Sequence, residues 1–309
     1  MGGSGGGFFS DETDPKSLSQ RIREAEAQTQ DQQFETEVAG LIGSLLSQYN
    51  ARDAEAISAH LDTIEKALGK DIDGTVYILY GGSVAKHTYV DGLSDIDALV
   101  LLDKSELKGK SPQEVREYFV SRLKERLPKT PVEPGTLAVT VKFQAVEIQL
   151  LPAIRYKSGF RIADATGKQW SFIKPSKFAD LLTKVNQEMG AKVVPTIKLA
   201  KSITSALPEN RRLTGYHTEA VAMQVFRQYD GRKTPKAMLT HFFREAPKHV
   251  LEPITDRTGQ STHVDDYLGP ANSPKRQIVA DSLDRIGRRM RNADGARLVQ
   301  QWRDILGVS

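Results

Sequence analysis

The stretch of sequence from Tyr80 to Asp97 gives the strongest indication of the fold. It has the sequence YGGSVAKHTYVDGLSDID. A β-rich apolar run, 76–80, leads into it, and a second such run, 96–102, begins at its end, so both runs are predicted to form strands. Asp95 and Asp97 stand two residues apart at the start of the second run, so both side chains are expected on one face of that strand.

The two aspartates, Asp95 and Asp97, predict a site for a metal ion. Two carboxylates on one strand face repel each other unless a cation lies between them. Mg²⁺ binds carboxylate oxygens and substrate phosphates together. The alternative interpretation is an exposed turn, because Ser-Asp and Asp-Gly steps also favour turns.

The upstream glycines favour the metal interpretation. Gly82 lets the backbone approach a ligand closely, and the free N–H groups of a helix that starts near Ser83 would form an anion site. The Ser83 hydroxyl can donate one more hydrogen bond to a phosphate. The order of strand, Gly-Ser, short helix, turn and paired aspartates therefore predicts a phosphate cradle opposite a metal platform.

Glu147 is the candidate for a third acid. A site for two metal ions, which lie about 3.5–4 Å apart, needs a further carboxylate beside the aspartate pair. Glu147 lies in the mainly apolar run AVEIQLLPA, residues 145–153. Because an unpaired buried carboxylate is costly, we expect it to be buried with a metal or a basic partner. The alternative is that Glu147 faces solvent on an edge strand.

The remaining patterns predict an α+β fold. Apolar residues at three- and four-residue spacing indicate helices, and short β-rich runs indicate strands. Helices are predicted over 14–47, 53–68, 112–127, 176–189, 193–206, 214–228, 235–246, 274–291 and 295–306, and further strands over 137–143 and over 145–151, closed by Pro152. This order predicts a mixed sheet with helices on one face and a C-terminal helical lobe, with a ligand cleft between them.

Three segments are expected. Residues 1–10 are rich in Gly and Ser and predict a flexible leader. Residues 11–175 are expected to form the catalytic lobe together with the N-terminal helices. Residues 176–309 are expected to form the helical lobe.

The composition excludes several classes of protein. Hydrophobic residues make up 39% of the 309 residues, which is enough for a sizeable core and excludes global disorder. The mean hydropathy of −0.42 and the lack of a long apolar run predict no membrane-spanning helix and no membrane partner. The sequence has no cysteine, which excludes disulfides and thiolate zinc sites and fits a cytoplasmic location. A net charge of +4 suits a phosphate-rich ligand but is too small to indicate a dedicated nucleic-acid binder.

With these motifs, the chain resembles the nucleotidyltransferases of the DNA polymerase β type. More narrowly, it is similar to the bacterial cyclic-oligonucleotide synthases of anti-phage signalling, the CD-NTases, which are related to cyclic GMP-AMP synthase and oligoadenylate synthase. The family's Gly-Ser motif matches Gly82 and Ser83, and its DxD motif matches Asp95 and Asp97. The resemblance implies a polymerase β-like nucleotidyltransferase lobe followed by a helical lobe.

The third acid of the family matches less well. In members like oligoadenylate synthase, the acid stands three residues before a proline, a position that Gln149 occupies here. Other bacterial members carry Glu-x-Gln, which matches Glu147 and Gln149. The resemblance therefore implies Glu147 as the third metal ligand, with Gln149 as the alternative or as a neighbour of the metal site.

The resemblance also implies residues that bind the nucleotide. The helix near 193–206 resembles the family's spine helix, whose lysine contacts the triphosphate; this role falls on Lys201, or on Lys198 one turn earlier. Tyr216 corresponds to a tyrosine that stacks on a nucleobase. Gly215 stands where relatives carry a phosphate-binding serine. His217, next to the site, is expected to pack in the core or to bond to a site residue, and the loop 256–264 resembles one that closes the helical lobe.

The implied reaction is the joining of NTPs or dNTPs into a cyclic or linear oligonucleotide second messenger, which an effector protein would recognise. The implied cofactors are two Mg²⁺ or Mn²⁺ ions. Two alternatives stay open: a toxin-like nucleotidyltransferase that modifies an RNA end or a protein side chain, and a nucleotide-binding regulatory module without turnover. A nucleic-acid activator is possible but is not indicated, since the basic stretch is interpreted as a solvated helix face. That stretch comprises Arg285, Arg288, Arg289, Arg291 and Arg297.

Overall fold

The computed structural model describes most of the chain. The described residues are 15–50, 54–69, 74–80, 86, 88, 96–144, 146–164, 166–173, 175–254 and 265–308. They form nine α-helices: α1 (Pro15–Tyr49), α2 (Ala54–Gly69), α3 (Pro112–Arg126), α4 (Pro175–Glu188), α5 (Val193–Ser205), α6 (Gly215–Phe226), α7 (Pro235–Leu251), α8 (Pro274–Ala296) and α9 (Val299–Leu306). They also form seven strands: β1 (Gly74–Tyr80), β2 (Ile96–Ser105), β3 (Val132–Pro134), β4 (Val139–Lys142), β5 (Glu147–Tyr156), β6 (Gly159–Ala163) and β7 (Trp170–Ile173).

Capping residues set where two of the helices begin. At the start of α3, the Ser111 hydroxyl accepts a hydrogen bond from the Glu114 N–H, and the Glu114 carboxylate accepts one from the Ser111 N–H. At the start of α6, the Thr214 hydroxyl accepts a hydrogen bond from the His217 N–H at 3.2 Å. The second cap fixes the first turn of the helix that carries Tyr216.

The strands form one mixed sheet. Its order is β1-β2-β5-β4-β3, and β6 pairs with β5 and with β7. β2 and β5 run parallel, and the other neighbouring pairs are antiparallel. The parallel register places Asp97 on β2 directly beside Gln149 on β5.

The side chains of β2 point alternately to the two faces of the sheet, which differ in what packs against them. One face packs against α2 and α3 in a core that includes Ile64, Leu68, Phe119 and Leu123. The β2 residues in this core are Ile96, Ala98, Val100 and Leu102. Asp97, Leu99 and Leu101 therefore lie on the opposite face, where Leu99 and Leu101 pack with Ala153 and the half-buried Phe160.

The other helices form a second core. Buried side chains of α4 to α9 pack together in one cluster, and Phe34, Val38, Ile42 and Leu45 of α1 belong to it. α1 therefore contacts the helical group, although it precedes the sheet in sequence. The division of the chain at residue 175 stays a prediction.

In the part of the chain that the structure describes, no helix is long and apolar enough to cross a membrane.

The predicted fold class is confirmed: the sheet is mixed, helices cover one of its faces, and a largely helical half follows. The sequence patterns did not predict β3, β6 and β7. These strands are only three to five residues long, and short runs carry little periodic signal.

The prediction that Pro152 ends a strand is wrong, since β5 continues to Tyr156. β5 pairs with β4 only as far as Leu150, and it pairs with β6 only from Ile154 onward. Pro152 lies between these two stretches, where no antiparallel neighbour needs a hydrogen bond from its backbone nitrogen. A proline is tolerated at such a position.

The predicted end of a helix at residue 246 is also wrong, because α7 continues through Pro247. Pro247 has no N–H, so the carbonyl of Phe243 loses its usual helical donor. That carbonyl faces Gly287 of α8: a Cβ placed on Gly287 would lie 2.7 Å from the Phe243 oxygen. The two helices can approach this closely only because residue 287 has no side chain.

We expect Gly287→Ala to destabilise the protein by about 1–3 kcal/mol, the usual cost of overpacking a core contact. The new Cβ would collide with backbone atoms, which cannot rotate away. Thermal and denaturant unfolding would measure the change in the free energy of unfolding.

Gly295→Ala is the matched control on the same helix, because nothing lies within 4 Å of a Cβ at residue 295. It should leave stability unchanged or raise it by about 0.5–1 kcal/mol, since alanine favours helix over glycine. Equal stability of the two variants would contradict the close approach of α7 and α8.

Candidate active site

The acidic residues lie on the sheet face that α2 and α3 leave uncovered. Asp97 is the second residue of β2, and its neighbour across the parallel pair is Gln149. Glu147, the first residue of β5, stands two residues before Gln149 and so lies on the same face. Ile148 and Leu150, between and after them, are buried on the other face. Two carboxylates and one carboxamide thus share one end of the central strand pair.

The expectation that Glu147 is buried is wrong. Its side chain is 47% exposed, although β5 is an inner strand between β2 and β4. The expected basic partner is present: the Lys142 Nζ lies 3.8 Å from a Glu147 carboxylate oxygen and 2.8 Å from Glu133. Glu147 is the first residue of β5 and stands where the pairing of β5 with β4 begins.

Three predicted site residues, Gly82, Ser83 and Asp95, lie outside the described residues, and the same holds for the loop 256–264. The described strands lead up to this gap: β1 ends at Tyr80, which pairs with Ala98, the residue after Asp97.

The oxygen donors present suit a hard divalent cation. Asp97, Glu147 and Gln149 supply carboxylate and carboxamide oxygens, the ligands that Mg²⁺ and Mn²⁺ prefer. Within the described residues, no group of three or more His, Asp or Glu side chains is close enough together to hold a metal ion. Asp95, the third member of the predicted set, is not among those residues.

A buried group of charges connects the segment after β1 to the helical half. Glu219 on α6 is 1% exposed and pairs with two lysines, Lys201 on α5 and Lys86. The Lys201 Nζ is 2.8 Å from one carboxylate oxygen of Glu219, and Lys86 donates to the other. The Thr88 hydroxyl donates to the same carboxylate at 2.5 Å, and Lys201 also donates to the Thr88 carbonyl at 3.2 Å. We call Lys86, Thr88, Lys201 and Glu219 the Glu219 cluster.

Glu219 is ionised at neutral pH. Burial raises its pKa, but the charges and hydrogen bonds of Lys201 and Lys86 together lower the pKa by more than burial raises it. The pKa of Glu219 therefore lies below its ordinary value. Glu219 is thus the shared anionic partner of two lysines, Lys86 and Lys201.

Tyr216, predicted to stack on a base, lies beside this cluster. It is the second residue of α6 and is half-buried. Its ring centre is 4.6 Å from that of Phe178 on α4. The Lys86 Nζ lies 4.9 Å from the Tyr216 ring centre and 5.0 Å from that of Phe178. The structure thus brings Tyr216 and Lys201 together around Lys86.

Lys198 does not join the cluster. Its Nζ donates to the side chain of Asn50, just after α1, at 2.5 Å. Lys198 and Lys201 are both buried, so they do not lie on a solvated face of the helix. The three-residue spacing points the two ammonium groups toward different neighbours.

His217 is fully buried beside the predicted base site. Its Nδ1 lies 2.9 Å from the Tyr267 hydroxyl, which accepts a hydrogen bond from the Thr214 N–H. Burial lowers the pKa of His217 to about 4, against the opposing influence of Asp265. The imidazole is therefore neutral at physiological pH, and it links the start of α6 to Tyr267.

Gly215, where relatives carry a serine, faces the cluster. A Cβ at this position would lie 3.5 Å from the Lys201 Nζ, an ordinary contact distance. A serine would therefore fit there without displacing the lysine.

The arginines of α8 lie on its exposed side, as the sequence predicts. Arg285, Arg288, Arg289 and Arg291 are exposed, and Arg288 pairs with Asp284 at 2.9 Å. Arg297 pairs with Asp31 of α1.

Glu219, Lys86 and Thr88 are not among the site residues predicted from the sequence. Glu219 does carry a signal, because it is an acid inside the otherwise apolar run TEAVAMQVF, residues 218–226. Such an acid predicts a buried cation but does not identify it. The partners Lys86 and Lys201 are 133 and 18 residues away in sequence.

Comparison with known proteins agrees with this geometry. Residues 43–186, just under half of the chain, match the family model described as the Second Messenger Oligonucleotide or Dinucleotide Synthetase (SMODS) domain. This range contains Asp97, Glu147 and Gln149. No curated protein sequence matches the chain.

Solved structures share the fold over most of their length. The Vibrio cholerae cyclic AMP-GMP synthase DncV, solved with a linear pppApG intermediate, is 12% identical to this chain, with a TM-score of 0.63. The match covers 96% of this chain and 90% of DncV. Escherichia coli CdnC with ATP is 17% identical, with a TM-score of 0.59. The match covers 85% of this chain and 92% of CdnC. The Rhodothermus marinus c-UMP-AMP synthase CdnE is 15% identical, with a TM-score of 0.56. The match covers 78% of this chain and 94% of CdnE.

The family match and the shared fold agree with the paired acids and the following helical half. Residues 43–186 thus resemble a second messenger oligonucleotide or dinucleotide synthetase domain, and the chain shares the fold of DncV, CdnC and CdnE.

Proposed function

We propose that the protein is a nucleotidyltransferase of the CD-NTase type, which joins NTPs or dNTPs into a small cyclic or linear oligonucleotide that serves as a second messenger in anti-phage defence. The observation that carries the proposal is the β2–β5 register, which sets Asp97 beside Gln149 and leaves Glu147 on the same uncovered face. The solved synthases with the same fold support the choice of nucleotides as substrates.

In the proposed reaction, a ribose hydroxyl of one nucleotide attacks the α-phosphorus of another. A new P–O bond forms, the bond to the β-phosphate oxygen breaks, and pyrophosphate leaves while the hydroxyl loses its proton. The protein contributes mainly orientation of the two nucleotides and stabilisation of the developing charge.

Asp95, Asp97 and Glu147 would hold two Mg²⁺ or Mn²⁺ ions, with Gln149 as the alternative to Glu147. Such ions, when bound, neutralise phosphate charge and favour the deprotonated hydroxyl. Glu147 also helps to remove the proton of the attacking hydroxyl. Its exposed position supports this role, because a solvated carboxylate can pass a proton on to water.

The nucleotide is proposed to bind between the sheet and the helical half. Gly82 and Ser83 would bind the leaving triphosphate together with a lysine, a role for which the family resemblance implies Lys201 or Lys198. Tyr216 would stack on the donor base. The contacts of Lys86 and Thr88 with α5 and α6 support this placement, since they bring the segment after β1 against both helices. The product would act on a separate effector protein.

We expect Asp97→Asn to reduce product formation by about a hundredfold or more, the usual effect of removing a group that stabilises transition-state charge. Purified protein would be given each α-labelled NTP and dNTP, singly and mixed, with Mg²⁺ or Mn²⁺. Products would be separated by chromatography before and after phosphatase. A small phosphatase-resistant product identifies a cyclic oligonucleotide, and a phosphatase-sensitive ladder identifies a linear one.

Asp62→Asn is the matched control, an exposed aspartate on α2 at the opposite face of the sheet. It should leave both product formation and the melting temperature unchanged. Full activity of Asp97→Asn would contradict the assignment. Stable labelling of a macromolecule, with no small product from wild-type protein, would instead indicate the toxin-like alternative.

Glu147→Gln and Gln149→Ala, made separately, decide which residue is the third ligand. We expect Glu147→Gln to lower turnover by about a hundredfold and Gln149→Ala to have a smaller effect. Metal titrations of initial rate would accompany both. If only Gln149→Ala abolishes activity, the assignment of Glu147 is wrong. Glu133→Gln controls for the shared partner Lys142, because it removes the other carboxylate beside that lysine.

A further inference from the structure

The Glu219 cluster contains more positive than negative charge. Lys86 and Lys201 both contact a single carboxylate, that of Glu219. Their side chains are only 11% and 8% exposed. Removing an unbalanced charge from water is costly unless an ion of opposite sign compensates it. The cluster is therefore suited to an additional anion.

The two lysines differ in how many hydrogen-bond donors they have left. An ammonium group has three N–H donors. Lys201 has three acceptors at 2.8–3.3 Å, namely Glu219 Oε1 and both side-chain and backbone oxygens of Thr88. Lys86 has a single acceptor among the described residues, Glu219 Oε2. In the part of the chain that the structure describes, Lys86 is thus the lysine of the pair whose N–H donors are not all used.

The surroundings of Lys86 suit a bound nucleotide. Its ammonium lies about equally far from the rings of Tyr216 and Phe178, at 4.9 and 5.0 Å. Aromatic faces attract a cation but accept no strong hydrogen bond, so they hold Lys86 without using its donors. Because Tyr216 is the proposed base-stacking residue, a nucleotide on that ring would bring its phosphates within reach of Lys86.

We propose that Lys86 binds a phosphate group of the nucleotide and that Glu219 is the positioning residue that holds it there. Lys201 and Thr88 complete the cluster by satisfying the other carboxylate oxygen of Glu219. The inference rests on the proposed function for the identity of the ligand, a nucleoside triphosphate. It assigns the phosphate contact to Lys86 rather than to Lys201, whose three donors already have acceptors in the structure.

The test compares two probes that differ in phosphate. The first is an ATP analogue with a methylene bridge between its α- and β-phosphates, which the enzyme cannot cleave there. The second is adenosine, measured by competition against a fluorescent form of the analogue. We expect Lys86→Gln to weaken analogue binding about tenfold or more, as for loss of a charge-assisted contact, and to leave adenosine binding unchanged. Lys86→Arg should keep most of the affinity.

Lys177→Gln is the matched control, an exposed lysine on α4 next to Phe178; it should bind both probes like wild type. Analogue affinity of Lys86→Gln equal to that of wild type would overturn the inference. Equal weakening of analogue and adenosine would also overturn it, because a phosphate contact cannot act on adenosine. Failure of the wild-type protein to bind the analogue would overturn it as well.

A double-mutant cycle tests the role of Glu219. We expect Glu219→Gln to weaken analogue binding in the wild-type background and to have no further effect in a Lys86→Gln background, because its effect acts through that lysine. Additive effects would show that Glu219 acts independently of Lys86 and would overturn its role as the positioning residue. Melting temperatures of all four proteins would confirm that each is folded at the assay temperature.

The same measurements separate this inference from the proposed function. If wild-type protein forms no product from any nucleotide but its analogue binding depends on Lys86, the proposed function fails and the inference stands. If product forms and Lys86→Gln raises neither KM nor the dissociation constant, the inference fails and the proposed function stands.

Discussion

The parallel pairing of β2 with β5 is the constraint on which the candidate site depends. The pairing fixes which residues of two distant chain segments stand side by side, and alternation fixes which of them face away from α2 and α3. A shift of the register by one residue would turn Asp97 and Gln149 toward opposite faces and would bury one of the two acids in the apolar core. The hydrophobic residues of β2 prevent this shift, because they must stay against the helices. The packing of Val100 and its neighbours thus determines where the acids lie.

Much of this arrangement could be predicted from local sequence. The aspartate pair and the apolar runs beside it indicated an acid-bearing strand, and three- and four-residue spacing located the helices. Glu147 was correctly placed on a strand, but its exposure was expected only on an edge strand, because the pattern could not show that it begins an inner strand. Pro152 and Pro247 were misleading because each lies inside a longer element. Pro152 lies between the stretches of β5 that pair with β4 and with β6, and Pro247 leaves without its helical donor the Phe243 carbonyl, which faces Gly287.

The Glu219 cluster shows a stricter limit on sequence reasoning. A buried carboxylate must find cations, but nothing in the sequence around residue 219 says which ones. The answer depends on how the segment after β1 meets α5 and α6, and so on the fold as a whole. The cluster in turn ties those elements together, since separating them would leave a charge buried without its partners, which is far more costly than losing an exposed ion pair.

The change of partners along β5 has a consequence for how this fold can diverge. The first half of the strand carries the acidic end and pairs with β4, whereas the second half pairs with the β6–β7 hairpin. Pro152 separates the two halves, so no ladder on that side of the strand runs through from one to the other. An insertion or deletion in the hairpin therefore leaves the register of the acidic end intact. The hairpin is a region where length can vary among relatives while the chemistry of the site is kept.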